Sequence, residues 1–207
     1  MSQPLPHAPR RTTGSFAALG LVLAMGGAAL LLLSPSSVEA GVGDEVGEMP
    51  QSLPVDGTSL ALNGHGVRTK LFLPLYAIGL YLEEPLADAT SIVALDRPKA
   101  IRMELLLPLS GKIIGKGIAR GFARSSSDAL SRLSQRLDTL RALVPNVRRG
   151  DTILMEWSPD RGTIIHVGGQ EQGVIPGKDF ADALFSVWLG TPVGDDDLKE
   201  SLLGGSR

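Results

Sequence analysis

The chain contains no cysteine. That absence removes disulfides, thiol nucleophiles, thiolate metal sites and a lipoprotein anchor together. Histidine is nearly as scarce, with three in the chain, and no HExxH or similar ligand spacing exists. His65 and His166 are therefore read as structural or surface groups, with no metal expected. There is no G-x-S-x-G elbow, phosphate loop or dinucleotide fingerprint, so no cofactor is expected. Glu156 and Asp160 flank a turn and Asp151 follows Gly150, but these acids have no spacing suited to general acid–base work. An excess of positive charge is also lacking: 20 basic residues face 22 acidic ones. That balance argues against nucleic-acid binding.

A long apolar run is present, but only near the start. Arg10 and Arg11 precede the uncharged run FAALGLVLAMGGAALLLL, and Val38 and Ala40 stand at the −3 and −1 positions of a small-residue cleavage site. This is the layout of a secretory signal peptide over residues 1–40. The run also approaches membrane-spanning length, so an uncleaved anchor is the alternative. A twin-arginine signal fits less well, because RRTTGS lacks an apolar pair after the arginines. The expected product is exported and periplasmic, with 18 basic and 21 acidic residues after cleavage. Residues 41–58, rich in Gly, Pro and acids, read as a flexible leader. Residues 59–207 read as one domain, large enough to be stable from its core alone.

Within that domain, HGVRTKLF and LYAIGLYL are strand-like runs joined by a short turn around Leu73 and Pro74. KAIRMELLLPL, residues 99–109, is another strand. A helix starts near Ser110. A second spans SSDALSRLSQRLDTLRALVPN, with Leu130, Leu133, Leu137, Leu140 and Val144 on one stripe, a serine cap at residues 125–127 and Pro145 at its close. DTILMEW and GTIIHVGG form a further strand pair around SPDR. The closing helices GKDFADALFSVWLG and DDDLKESLLG each end at a Gly suited to a left-handed cap. Asp195, Asp196 and Asp197 look like a cation site but are read as the acidic, capping start of the last helix. Strands and helices are segregated, which implies α+β with helices packed on an antiparallel sheet.

The first hairpin is where charge meets an apolar strand. Tyr76, Ile78, Leu80 and Leu82 share one face and Leu75, Ala77, Gly79 and Tyr81 the other, so this strand is expected to be central and covered on both sides. With the hairpin centred near Phe72, Arg68 falls opposite Tyr76, and paired residues point to the same face. A slip of one residue reverses that. Arg offers a planar fork of donors suited to a carboxylate. Buried, it needs a partner: a protein acid or a ligand anion.

Three segments, NGHGVRTKLFLPLYAIGLYLEEP, LLLPLSGKIIGKGIARGF and VIPGKDFADALFSVWLG, resemble in this order the chalcone isomerase-like family, especially its bacterial exported branch. The resemblance covers about residues 60–204 and is most specific at Gly66, Arg68, Ala77, Gly79, Tyr81 and Leu82. It implies an open-faced β-sandwich, an antiparallel sheet with helices packed on it. It also implies one of two functions. The plant isomerase closes a chalcone into a flavanone, whereas relatives of the same fold bind fatty acids through an arginine and a tyrosine. Arg68 matches the arginine of both. Tyr76 matches the fatty-acid binders, where the isomerase has threonine. Ile114 and Gly121 fall where the isomerase carries tyrosine and asparagine, and Val187 falls at its small hydroxyl residue. Losing such donors removes the stabilisation that an enone oxygen needs as charge builds on it. The resemblance therefore implies a small amphiphilic carboxylate, such as a fatty acid, held by Arg68 and Tyr76 with Tyr81 nearby. The alternatives are an intramolecular lyase using Arg68 as electrophile, or an envelope partner module.

The module reading rests on a basic ridge, Lys112, Lys116, Arg120 and Arg124, at every fourth residue. It reads either as a solvated helix face or as a surface for peripheral contact with an anionic membrane or an acidic partner. Gly111, Gly115, Gly117 and Gly121 lie on the same helix, where each costs stability. Close packing, room for a ligand or an irregular segment would each account for them. Trp157 and Trp188 are expected in the core or a cleft wall.

Overall fold

Tight turns with left-handed backbone set the strand order. Asp56 and Gly57 (φ 46° and 78°) and Gly168 and Gly169 (φ 58° and 78°) make two-residue hairpins, the geometry that matches strand twist and favours Asp-Gly and Gly-Gly. A computed structural model describes residues 49–205 apart from Ser126, and residues 125 and 127–129 by backbone alone. The expected signal, the start of the leader and the serine cap lie outside that description. Among the described residues, strands β1 (Ser52–Val55), β2 (Thr58–Lys70), β3 (Leu73–Leu82), β4 (Lys99–Leu105), β5 (Thr152–Ser158), β6 (Gly162–Val167) and β7 (Gln170–Ile175) form one sheet in sequence order. Every neighbouring pair is antiparallel. Helix α1 (Ala89–Ala94) links β3 to β4. Helices α2 (Gly111–Ser125), α3 (Ser127–Arg132) and α4 (Ser134–Leu143) lie between β4 and β5, and α5 (Lys178–Leu189) and α6 (Asp196–Leu202) follow β7.

The main core lies between one sheet face and the helices. Ile78, Leu80, Ile101 and Met155 pack there with Phe180 and Leu184 of α5. Phe122 of α2 meets Phe180 edge to face at 5.7 Å, a favoured aromatic geometry. The other face carries a smaller cluster of Val55, Leu60, Tyr81 and Ala100. β3 is thus covered on both sides, as its two apolar faces imply. The helical excursion is closed at its base by Leu109 and Val147, which exchange backbone hydrogen bonds at 3.0 and 2.9 Å.

Several boundaries differ from the sequence expectation. The stretch expected as leader contains β1, and Met49 and Val55 are buried. The Tyr81 hydroxyl donates to the Pro50 carbonyl at 2.9 Å and ties that segment down. The strand expected to reach Leu109 stops at Leu105. The single long helix is two, interrupted at Leu133, where the Ser134 hydroxyl donates to the Ser131 carbonyl at 3.0 Å. Serine side chains compete in this way with helical bonding. Gly190 closes α5 in extended rather than left-handed backbone (ψ −178°), with Pro192 two residues on, whereas Gly204 after α6 is left-handed at φ 82°.

Candidate functional site

A β-bulge decides which face receives Arg68. On β2, Leu62 pairs with Tyr81 but Gly64 pairs with Leu80, leaving Asn63 extra. An extra residue reverses the alternation beyond it. Leu60 and Leu62 therefore face the smaller cluster, while Gly64, Gly66 and Arg68, of the same parity, face the helices. Asn63 is held on both sides: its amide donates to the Leu202 carbonyl, and its oxygen accepts from Leu86 N, both at 2.8 Å. Gly64 allows α6 to lie directly on β2, because a Cβ there would sit 2.2 Å from the Ser201 carbonyl oxygen. Arg68 pairs with Tyr76 in the register read from sequence.

Arg68 has a protein partner. Its Nη1 donates to the Gly194 carbonyl at 3.1 Å and forms an ion pair with Asp195 Oδ2. Asp195 caps α6 as expected, its Oδ1 accepting from Leu198 N at 3.1 Å. One acid thus fixes both the helix end and the guanidinium. Among the described residues, Arg68 is bonded only through Nη1, which leaves the rest of the donor fork for another acceptor.

Tyr76 is held as a donor. Trp188 Nε1 donates to its hydroxyl oxygen at 3.1 Å. Indole can only donate, so the tyrosine oxygen accepts and its own hydrogen is turned elsewhere. Burial raises the Tyr76 pKa above the ordinary value against the opposing pull of Trp188 and Arg68. The phenol is therefore protonated at neutral pH and offers a hydrogen to an anion.

Arg68, Tyr76, Trp188 and Asp195 stand at one wall of a cavity of about 400 Å³. Met103 of β4, Ile114 and Ile118 of α2, Val187 of α5 and Leu198 of α6 supply apolar lining, and Lys70, Arg120 and Arg124 add positive charge. That size and composition suit a small ligand with one polar end. Four basic side chains face one acid here, so the cavity is locally positive in a chain of net charge −2. The α2 glycines serve two purposes. A Cβ on Gly117 would meet nothing within 4 Å, whereas on Gly121 it would lie 2.7 Å from both Val187 methyls. Gly117 leaves room beside the cavity, and Gly121 lets α2 approach α5.

Tyr81 is not brought to this site. It is an odd number of residues from Tyr76 on a regular stretch of β3, so it points to the opposite face and bonds Pro50. His166 lies diagonally from Glu156 on the neighbouring strand, with Nε2 to Oε2 at 3.2 Å, and His65 is exposed. Trp188, expected in the core or a cleft wall, stands on the cavity wall, whereas the sequence reading gives Asp195 only its capping role and does not place Arg120 or Arg124 at the site. The four-residue spacing of the basic ridge was the available signal, and it also described a solvated face.

A family model described as chalcone isomerase-like matches residues 45–204. The chain belongs to the chalcone isomerase-like family. The crystal structure of an Arabidopsis thaliana fatty-acid binding protein has the same fold, with a TM-score of 0.56 and 15% sequence identity over 73% of this chain and 95% of that one. A sequence comparison with curated proteins gives no match. Ile114 and Val187 line the cavity as aliphatic groups, and Gly121 packs against Val187.

Proposed function

We propose that this protein binds a small amphiphilic carboxylate, with a single-chain fatty acid as the type ligand. The observation that carries the reading is the Trp188–Tyr76–Arg68 arrangement. A phenol obliged to donate and a guanidinium with unused donors stand together at the wall of an otherwise largely apolar cavity. Charge-assisted bonds from two such groups suit a carboxylate, and the aliphatic lining suits its chain. Similarity in fold to a fatty-acid binding protein supports the same ligand class. The aliphatic lining at Ile114 and Val187 weighs against the isomerase alternative, which needs donors there. The arginines and apolar run of residues 1–40 support export to the periplasm. The basic face of α2 supports peripheral contact with an anionic membrane.

The test is titration of the purified chain with palmitate and with its methyl ester, with native mass spectrometry of the protein as isolated. Palmitate is expected to bind saturably, and Tyr76→Phe to weaken it roughly 10- to 100-fold through loss of one charge-assisted hydrogen bond. Ester binding should be weaker and insensitive to the substitution. Absence of saturable palmitate binding, or an ester that binds as tightly as the acid, overturns the proposal.

A further inference from the structure

The large hydrophobic residues that are exposed among the described residues are Val67, Leu71, Phe72, Leu73 and Ile113. They belong to one end of the molecule. The first four are on the β2–β3 hairpin, and Ile113 is in the first turn of α2. Ile113 lines the cavity together with Lys70 and Leu75, which flank the hairpin apex. Phe72 is 98% and Leu71 82% exposed. Both have left-handed backbone, φ 66° and 50°, a conformation that bulky side chains rarely adopt and that Asn-Gly would take without penalty. Two unfavourable choices thus coincide at the apex, where both side chains stand away from the described residues.

The charge around this apex is mostly positive, with Asp195 the one acid on the cavity wall, paired with Arg68. The segment from Val67 to Tyr76 carries Arg68 and Lys70 and no acid, and α2 carries Lys112, Lys116, Arg120 and Arg124 and no acid. Lys70, Arg120 and Arg124 are on the cavity wall, and Lys112 and Lys116 are exposed on the same helix. An apolar tip flanked by lysine and arginine is the pattern of a bilayer-interface anchor: the apolar groups enter the headgroup–acyl boundary and the cations remain with lipid phosphates.

We infer that the Leu71–Phe72 apex inserts into an anionic bilayer surface, seating the cavity mouth against the lipid so that a single-chain amphiphile passes between bilayer and cavity without crossing bulk water. This deepens the ligand-binding reading above and rests on it for the passenger. The membrane contact itself rests on the apex and its charge. Insertion needs no covalent step, only partitioning of exposed apolar area and replacement of counterions at the basic rim.

The absence of cysteine makes a site-specific test direct. In the full chain, Phe72→Cys is labelled with an environment-sensitive NBD dye, and Asp160→Cys serves as control. Asp160 is exposed in the β5–β6 turn, at the opposite end of the strands from the apex. The proteins are combined with vesicles of phosphatidylcholine alone or with added phosphatidylglycerol. The expected result is a blue shift and gain in emission at position 72, larger with phosphatidylglycerol, quenched by spin-labelled lipid, and absent at position 160. Lys112→Gln with Lys116→Gln should reduce the phosphatidylglycerol dependence while palmitate binding in solution persists. A label at position 72 that stays in water with every vesicle overturns the inference. So does one that shifts only with rising protein concentration, which would mark the apex as a contact between copies. Insertion without palmitate binding would remove the proposed ligand and keep the membrane contact, whereas palmitate binding without insertion would do the reverse.

Discussion

Lys99 is fully buried on β4, away from the cavity. Its Nζ donates to the Ile92 and Val93 carbonyls at 2.8 and 2.6 Å and lies 4.8 Å from the Phe185 ring centroid. Burial first, then the neighbouring Lys178, lowers its pKa from 10.5 to about 7, while Asp182 and Asp96 pull it upward. In the unfolded chain this amine keeps its proton up to about 10.5. Between those values the unfolded state binds more protons, so stability rises with pH. Urea unfolding should show a gain on the order of 1–2 kcal/mol from pH 7 to pH 9 in the wild type, absent in Lys99→Met. A wild-type-to-variant difference that is the same at both pH values would mean that the two carbonyls and the ring keep the lysine charged. Tyr81 offers a second test at this scale. Tyr81→Phe strands the Pro50 carbonyl and should cost about 1 kcal/mol while leaving palmitate affinity unchanged, because its hydroxyl is on the far side of the sheet.

Helix α2 shows how one element accommodates packing and binding on different turns. Gly121 is closed in by Val187, and Gly117 is open. Gly121→Ala forces overlap with two methyl groups and should destabilise the protein by roughly 1–3 kcal/mol, as overpacking does. Gly117→Ala should instead be neutral or stabilising, by up to about 1 kcal/mol, because alanine favours the helix and its methyl meets nothing. Thermal melts of the two variants separate these effects. Equal destabilisation by both would mean that the glycines are needed for an irregular backbone. The α6 cap belongs to the same scale: Asp195 orders a short helix and orients Arg68, so a change there alters binding through geometry as well as charge.

In the molecule as a whole, the β1 segment completes the smaller face. It places Val55 against Leu60 and Tyr81, and Met49 is buried alongside. A chain beginning at Met49 should unfold in urea at the midpoint of a chain beginning at Gly41. One beginning at Gly57 should lose several kcal/mol, since burying each large apolar side chain contributes about 1.5–3 kcal/mol. An unchanged midpoint for the chain beginning at Gly57 would show that residues 49–56 behave as a leader after all. The segregation of charge is also a whole-molecule property. The net charge is −2, yet Arg68, Lys70, Arg120 and Arg124 line the cavity with Asp195 as the one acid among them.

The fold class, the β2–β3 hairpin with its Arg68–Tyr76 pairing, and the acidic cap of α6 can be read from the order of the residues. Alternation, turn spacing and capping are local, and local patterns survive in a string of residues. Asp56-Gly57 and Gly168-Gly169 were legible too, as hairpin dipeptides that would have revealed β1 and β7. The rest depends on contacts between distant parts of the chain. The Asn63 bulge sets which face Arg68 enters, and bulges are specified by packing, here by the Leu202 carbonyl and Leu86 N. Trp188, more than a hundred residues from Tyr76 in the chain, orients its hydroxyl, and Asp195, equally distant from Arg68, occupies its first donor. Tyr81 does not reach the site to which the resemblance assigns it, and the alternation of β3, which turns it to the face opposite Tyr76, is the reason.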